Sequence, residues 1–260
     1  QLSQNGAVDL SAVDQAGGNM EGKEARFGIA DSAMWATFTT AAANGSVNSM
    51  HDSYTPLGGA IPLLLMQIGE VVFGGAGSGL YGMIGFAIMT VFIAGLMVGR
   101  TPEYLGKKIE AHEMKMACII CLMTSVAILA GSGIAALVPA VEKSVNNTGA
   151  HALTEILYAF SSAGGNNGSS FAGLAANTVF LNLSLGIVMA LVRFIPMMAI
   201  LSVAGNMAKK KKTAVTTGTL STCGPLFVGL LIFVILLIGA LSFLPALSLG
   251  PIAEYFQMIG

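Results

Sequence analysis

The chemistry of this chain is expected at a small, polar, glycine-rich stretch, residues 161–170, which reads SSAGGNNGSS. A short helical run from His151 to Phe160 precedes it, and a long apolar span follows from Thr178. Helix, polar turn and spanning helix is the layout of a re-entrant pore loop, since irregular backbone is tolerated at membrane depth only where protein buries it or water reaches it. Glycines adopt positive φ cheaply, so successive carbonyls can point at one axis and replace the hydration shell of a cation.

A second stretch of the same kind lies nearer the start of the chain. Residues 31–42 predict a short helix with Asp31 or Ser32 as its N-cap. The helix is followed by a small, polar segment, so that residues 39–48 read TTAAANGSVN. Helix and loop together, residues 31–48, predict another pore loop.

The two stretches match each other in sequence. FTTA at 38–41 parallels FSSA at 160–163, and NGS at 44–46 parallels NGS at 167–169, with one residue gapped between the two halves of the match. Such an internal repeat is much harder to explain by chance than either loop alone.

The composition indicates an all-α integral membrane protein. Hydrophobic residues make up 54% of the chain, charged residues 10%, and the mean hydropathy is +0.76. We expect a lipid bilayer around it and no nucleic-acid partner. Cys118 and Cys121 form a C-x-x-C inside an apolar span, where they are expected to pack rather than to do redox chemistry. Gln1 is not an initiator methionine, which suggests a piece of a longer chain.

The apolar spans define a multi-pass topology. Residues 57–99 are apolar but interrupted at Gly69-Glu70 and at 74–79, so they form either two helices or one broken helix. Basic residues in the 100–115 loop make that loop cytoplasmic, and we prefer the broken helix because both pore loops then enter from outside. The remaining spans are expected at 116–138, 178–203 and 225–247, with Lys209–Lys212 at the cytoplasmic side.

Two ionisable residues, Glu70 and Arg193, stand in apolar spans, where a charge is costly and indicates either function or a buried ion pair that fixes packing. Glu70 could also lie near the cytoplasmic end of its span. His51-Asp52 has no second histidine at ligand spacing, so these two are expected to be polar residues of the outer surface. The G-x-G-x-x-G at 77–82 lacks a preceding strand, and it favours an unwound intramembrane segment over a dinucleotide site.

Several long motifs resemble one family, the potassium-binding subunit of the bacterial Kdp potassium-transporting ATPase. They are GNMEGKEARFG at 18–28, MQIGEVVFGG at 66–75, GSGLYGM at 77–83, GRTPEYLGKKIE at 99–110 and GPLFVGLL at 224–231. The resemblance implies a fold of four helix–pore loop–helix repeats around one filter. This chain is similar to the C-terminal half only: residues 1–115 as the third repeat without its first helix, 116–208 as the fourth, and 209–260 as a basic loop and final helix.

The resemblance also implies a set of site residues. Two loops cannot close a fourfold ring, so the missing half must come from the rest of the protein or from another chain. The implied potassium filter comprises Thr40, Ala43, Asn44, Gly45, Ser162, Asn166, Asn167 and Gly168, with Gly45 and Gly168 as its central glycines. The implied gate and path below the filter comprise Glu70, Gly74, Gly75, Gly77, Gly79 and Arg193.

Function and partners follow from the same resemblance. The ligand would be potassium without an organic cofactor, and ATP would be bound by a partner P-type ATPase subunit, with small accessory membrane subunits, in a bacterial or archaeal plasma membrane. This chain would carry no catalytic residue, since no Walker motif and no cluster of acid, base and nucleophile is visible. A stand-alone potassium channel or secondary transporter of the same superfamily is the alternative, and a membrane-embedded enzyme is a third, weaker one.

Overall fold

The computed structural model describes residues 26–71, 74–75, 78–97, 99, 101–169, 171–212, 221–222 and 224–259. Most of these residues are helical, and the only strands among them form one short hairpin. The first motif of the resemblance lies largely outside the described residues, and so does the implied path residue Gly77.

The helices follow one another along the chain with short connections. Their bounds are α1 Ile29–Ala41, α2 Pro56–Gln67, α3 Ser78–Met97, α4 Ala111–Ala136, α5 Pro139–Glu142, α6 Ala150–Gly165, α7 Val179–Lys209, α8 Pro225–Leu247 and α9 Ala253–Ile259. A 3₁₀ turn covers His51–Ser53, and a π-helical turn at Ser248–Ile252 joins α8 to α9.

Four helical segments of the described chain are long and apolar enough to cross a membrane: Gly79–Met97, Ala111–Ala136, Val179–Lys209 and Pro225–Ile259. A bilayer core needs about twenty apolar residues in a helix, and each segment supplies close to that number or more. The predicted class, an all-α multi-pass membrane protein, is confirmed.

Helix α8 has the predicted bounds 225–247, whereas α4 and α7 are longer than the predicted spans. α4 begins at Ala111, five residues before the predicted start, because Glu110 and Glu113 form a capping box; Glu113 Oε2 accepts the Glu110 N–H at 2.9 Å. α7 begins after Thr178, whose hydroxyl caps the Leu181 N–H at 3.3 Å, and continues beyond Val203. α1 begins after Gly28 without a side-chain cap, so the predicted N-cap at Asp31 or Ser32 is wrong.

A two-stranded hairpin in the loop between α3 and α4 was not predicted. Its strands are β1 Glu103–Tyr104 and β2 Lys107–Lys108, paired antiparallel. Leu105 and Gly106 both have positive φ, 51° and 70°, which is the requirement of a type I′ turn. Strands of two residues carry no periodic pattern by which sequence could reveal them.

The apolar stretch 57–99 contains two helices, and the interruption predicted at Gly69-Glu70 is non-helical. α2 ends at Gln67 and α3 begins at Ser78. Gly69 and Glu70 have φ of 90° and 49°, a left-handed pair that ends the helix. Gly79 then lies against Gly74, where a Cβ on Gly79 would stand 2.8 Å from the Gly74 Cα.

Helix α6 lies in the middle of the described bundle, packed against α4, α7 and α2. Glycines allow the close approach to α4, since a Cβ on Gly131 would stand 2.5 Å from the Phe160 ring and one on Gly164 2.5 Å from Ile128. Between apolar helices in lipid, such close van der Waals contact takes the place of the hydrophobic effect. The core around Tyr158, Phe160 and Leu181 therefore fixes the depth and direction of α6.

Candidate functional site

Two loops of the same geometry leave the ends of α1 and α6. Ala43 and Asn166 are both left-handed, with φ of 54° and 56°, and each precedes an Asn-Gly-Ser triplet. In both triplets the asparagine Oδ1 accepts the serine N–H at 2.9 Å, from Ser46 to Asn44 and from Ser169 to Asn167. These are Asx turns, which hold the intervening glycine in a fixed bend.

The loops also close back onto their helices in the same way. The Asn44 N–H donates to the Thr39 carbonyl at 2.9 Å, and the Asn167 N–H donates to the Ser162 carbonyl at 3.3 Å. Five residues separate donor from acceptor in both cases, so Thr39 corresponds to Ser162. The sequence match pairs Thr39 with Ser161. The hydrogen bonds instead pair Thr39 with Ser162, and the two loops then align without a gap.

The two glycines named from the sequence meet at the contact between the loops. A Cβ on Gly45 would overlap the carbonyl oxygen of Asn167 and stand 3.0 Å from the carbonyl carbon of Gly168. Gly168 is left-handed, with φ of 79°, and has open space where a Cβ would be. Gly45 is thus required by proximity, whereas Gly168 is required by backbone conformation.

Part of the predicted loop is helical instead. α6 continues through residues 161–165, so the irregular backbone begins only at Asn166. Ser162 is in that last helical turn, and its hydroxyl donates to the Asn167 Oδ1 at 2.8 Å. Thr40 is likewise in α1, with its hydroxyl bonded to the Ala36 carbonyl at 2.7 Å. The high glycine and serine content concealed a helix end that packing against α4 stabilises.

Thr39 is a loop-supporting residue that the sequence interpretation missed. Its hydroxyl lies 2.9 Å from the Asn44 carbonyl and 2.7 Å from the Ser46 carbonyl, so it braces the backbone on both sides of Gly45. Its neighbour Thr40 had been selected in its place, because either threonine could follow from the sequence pattern.

A cavity of about 80 Å³ lies under the loop of α6, at the break between α2 and α3. One water needs roughly 10–15 Å³ on this measure, so there is room for several waters or a partly hydrated cation. Glu70, Arg193, Gly165 and Asn166 are among its lining residues. The structure therefore brings the two ionisable residues of the apolar spans to one cavity beside the loop.

Glu70 contacts the loop directly. Its side chain is buried, and its Oε1 accepts a hydrogen bond from the Asn167 Nδ2 at 2.6 Å. A Cβ on Gly165 would stand 3.0 Å from the same oxygen. The left-handed turn at Gly69 and Glu70 directs this carboxylate to the loop.

Arg193 is in the middle of α7 and exposed in this chain. Among the described residues no ion pair joins it to Glu70.

The glycines of the break determine its path. A Cβ on Gly74 would overlap the Glu70 carbonyl oxygen and stand 2.7 Å from the Gly79 Cα. Gly75 is half-buried in the same segment. The chain between the two half-helices thus folds back on itself at Gly74 and Gly79, which positions Glu70.

The pair His51-Asp52 is not a polar patch of the surface, as the sequence had suggested. His51 is 1% exposed, and its Nδ1 lies 2.8 Å from the Tyr158 hydroxyl. Asp52 lies 3.0 Å from the Nε2 of His151, a histidine 99 residues further along the chain. Contacts of such sequence separation leave no signal in local spacing.

His151 is the centre of a charged cluster at the start of α6. Its Nδ1 lies 2.7 Å from Glu254 of α9, and its Nε2 lies 3.8 Å from Glu155. Burial alone would lower the pKa of His151, but the hydrogen bonds and charges of Asp52 and Glu254 outweigh it and raise the pKa to about 10. One ligand atom each of Asp52, His151 and Glu155 lies within 4.8 Å of the others, close enough for the three residues to hold a metal ion. With the imidazole protonated, the same residues and Glu254 form a set of ion pairs.

Comparison with known proteins gives one consistent family. The family model for the potassium-transporting ATPase A subunit matches residues 1–256. Relatives with the name potassium-transporting ATPase potassium-binding subunit are 70% identical in Clostridium botulinum, 68% in Clostridium perfringens and 63% in Desulfovibrio desulfuricans. These alignments cover 99 to 100% of this chain and 45% of each relative, so the chain spans about 45% of the length of the curated relatives it matches.

Proposed function

The chain belongs to the family of potassium-transporting ATPase A subunits, and on this premise we propose that it supplies two of the loops of a potassium-selective filter in an ATP-driven uptake complex. The observation that carries the proposal is the contact of Gly45 with Asn167 and Gly168. Two loops of equal geometry that meet at their glycines are what adjacent members of one ring require.

Selection at such a site rests on backbone oxygens. Potassium and sodium can be distinguished by the number and field strength of the carbonyl groups that replace the hydration shell. The Asx turns at Asn44 and Asn167, together with the Thr39 hydroxyl, keep these carbonyls from relaxing around a smaller ion. In this proposal residues 1–115 contribute the third repeat, residues 116–208 the fourth, and the remaining loops come from the part of the protein that this chain does not span.

In this proposal the ion next binds in the cavity beside Glu70. A buried carboxylate attracts a cation that has left the carbonyls, and the guanidinium of Arg193 in the same lining repels it from going straight on. Potassium would then pass sideways to a P-type ATPase subunit that hydrolyses ATP, with small accessory membrane subunits in the same complex. The chain would supply no catalytic group to the hydrolysis, and the complex would reside in a bacterial plasma membrane, since the relatives are bacterial.

The test uses the complete subunit in its assembled complex. ATP hydrolysis is titrated with potassium and with sodium for the wild type and for Gly45→Asp and Gly168→Asp. We expect potassium to activate the wild type at far lower concentration than sodium, and both variants to lose potassium affinity while still assembling. Wild-type affinity in either variant would contradict the filter assignment, and the absence of any co-purifying ATPase would favour a stand-alone channel or secondary transporter.

A further inference from the structure

Tyr158 is a buried hydroxyl that lies between the two loops. It stands on α6 with no exposed surface. Its hydroxyl lies 2.8 Å from the Nδ1 of His51 and also forms a hydrogen bond with the Ser169 hydroxyl. Ser169 directly follows Gly168, and His51 lies in the segment that follows Gly45. One hydroxyl therefore contacts residues on the C-terminal side of both glycines.

The position of this hydroxyl is fixed by the packing of its ring. The ring of Tyr158 stacks on Phe171 at a centroid distance of 4.0 Å and an interplanar angle of 21°. Phe171 stacks in turn on His151 at 6.2 Å. Tyr158 is buried on α6, which packs against α4, α7 and α2, so its hydroxyl is a fixed point for the loops. Phe171 lies two residues after Ser169, so its stacking attaches the loop of Gly168 to the same ring.

The network continues from Tyr158 to the cavity. Ser169 donates its N–H to the Asn167 Oδ1 at 2.9 Å. The Asn167 Nδ2 donates to Glu70 at 2.6 Å. Every step from His51 to Glu70 is thus a hydrogen bond between buried groups, three between side chains and one from the backbone N–H of Ser169. Such networks specify one arrangement when all their members are satisfied.

We propose that Tyr158 is a positioning residue that determines ion selectivity: its hydroxyl holds the loop of Gly168 at a fixed distance from the segment that follows Gly45. This inference rests on the proposed filter. A site must be held within about 0.5 Å of its productive geometry, and carbonyl loops without a fixed support would close around a smaller ion. Without the hydroxyl, the filter should lose discrimination while the fold around the ring persists.

The test is Tyr158→Phe in the complete subunit, assayed in the assembled complex by half-activating concentrations of potassium, rubidium and sodium. The variant keeps the ring and its stacking on Phe171. We expect the half-activating concentration of potassium to rise about five- to tenfold, because the variant loses the hydrogen bonds of the hydroxyl to His51 and Ser169, and the ratio of the sodium to the potassium value to fall. The matched control is Tyr255→Phe on α9, which lies outside the network and should leave all three values unchanged.

A double-mutant cycle with Ser169→Ala separates positioning from packing. If Tyr158 acts through Ser169, the two changes together should alter the ion ratios no more than either alone. Additive effects, unchanged ratios in Tyr158→Phe, or a loss of assembled complex with the ratios intact would each overturn the inference. If the aspartate variants of Gly45 and Gly168 lower potassium affinity and Tyr158→Phe does not alter selectivity, this inference alone fails; if the glycine variants are also silent, the filter proposal fails with it.

Discussion

Gly45 and Gly168 lie against each other across the boundary of the two loops, and only one of them has room for a side chain. The close contact concerns the Cβ position of Gly45, while the Cβ position of Gly168 is open but its φ of 79° disfavours any β-carbon. Substitution at the two positions should therefore have different consequences.

We expect Gly45→Ala to lower potassium affinity more than Gly168→Ala. The methyl group on Gly45 must push the Asn167 carbonyl away, whereas alanine at 168 costs only backbone strain of about 1–2 kcal/mol. Gly168→Asn should be milder still, because asparagine tolerates the left-handed region. Potassium titration of ATP hydrolysis in the complex measures all three, and a Gly45→Ala variant with normal affinity would contradict the loop contact.

The charge of Glu70 should matter beyond its hydrogen bond. Glu70→Gln keeps an oxygen that can accept from Asn167 but removes the negative charge, so we expect weaker potassium activation with normal assembly. Glu70→Ala also removes the acceptor and should in addition lower thermal stability, since a buried amide of Asn167 loses its partner at about 1–3 kcal/mol. Equal affinities in Glu70→Gln and the wild type would mean that the carboxylate only supports the loop.

Arg193→Ala tests the opposite charge in the same cavity. Because Arg193 has no ion pair with Glu70 among the described residues, its removal should affect the coupling of transport to ATP hydrolysis more than the amount of assembled complex. Potassium flux and ATP turnover are measured together in proteoliposomes. A merely structural arginine would show the reverse, with less complex and unchanged coupling.

His151 should make stability depend on pH in the alkaline range. Its pKa is raised from 6.5 to about 10, so the folded state binds the proton more tightly than the unfolded state. The stabilisation is fully present below pH 6.5 and is lost as the pH rises towards 10. Thermal unfolding of the complete subunit should therefore differ most between the wild type and His151→Gln near pH 6 and least near pH 10. A difference that grows with pH would contradict the imidazolium cluster with Asp52, Glu155 and Glu254.

Lys210, just after α7, should stabilise the contact of α7 with α4 without affecting potassium activation. Its Nζ lies 2.7 Å from Glu113, which has no exposed surface, and 3.1 Å from Glu110. Lys210→Met removes the cation from a buried carboxylate, so we expect a loss of about 1–3 kcal/mol in the free energy of unfolding with unchanged potassium activation. Lys211→Met, at an exposed position, is the control. Similar thermal midpoints for the two variants would argue against a stabilising contact of Lys210 with Glu113 and Glu110.

The sequence predicts the features that depend on residues close together in the chain. The apolar runs predict the spans, Gly69 with the glycines at 74–79 predicts the broken helix, and the two Asn-Gly-Ser triplets predict a pair of equivalent loops. Each depends on residues a few positions apart, where composition and periodicity are informative.

What sequence could not supply is the set of contacts between distant segments. His151 meets Asp52 across 99 residues, and Tyr158 meets His51 across 107. The helical state of residues 161–165 likewise depends on packing against α4, which overrides the low helix propensity of glycine and serine. These contacts support the two loops, and they form only when distant parts of the chain fold together.

The broken helix and α6 have one more consequence, which concerns the backbone and not any side chain. α2 ends at Gln67 and α6 ends at Gly165, and both ends line the same cavity. The carboxyl end of a helix carries roughly half a negative charge, so two such ends add about one negative charge to that of Glu70. The amino end of α3, whose Tyr81 and Gly82 line the same cavity, offsets about half of this added charge. The cavity therefore attracts a cation by its architecture, and removal of the Glu70 carboxylate should weaken this attraction without abolishing it.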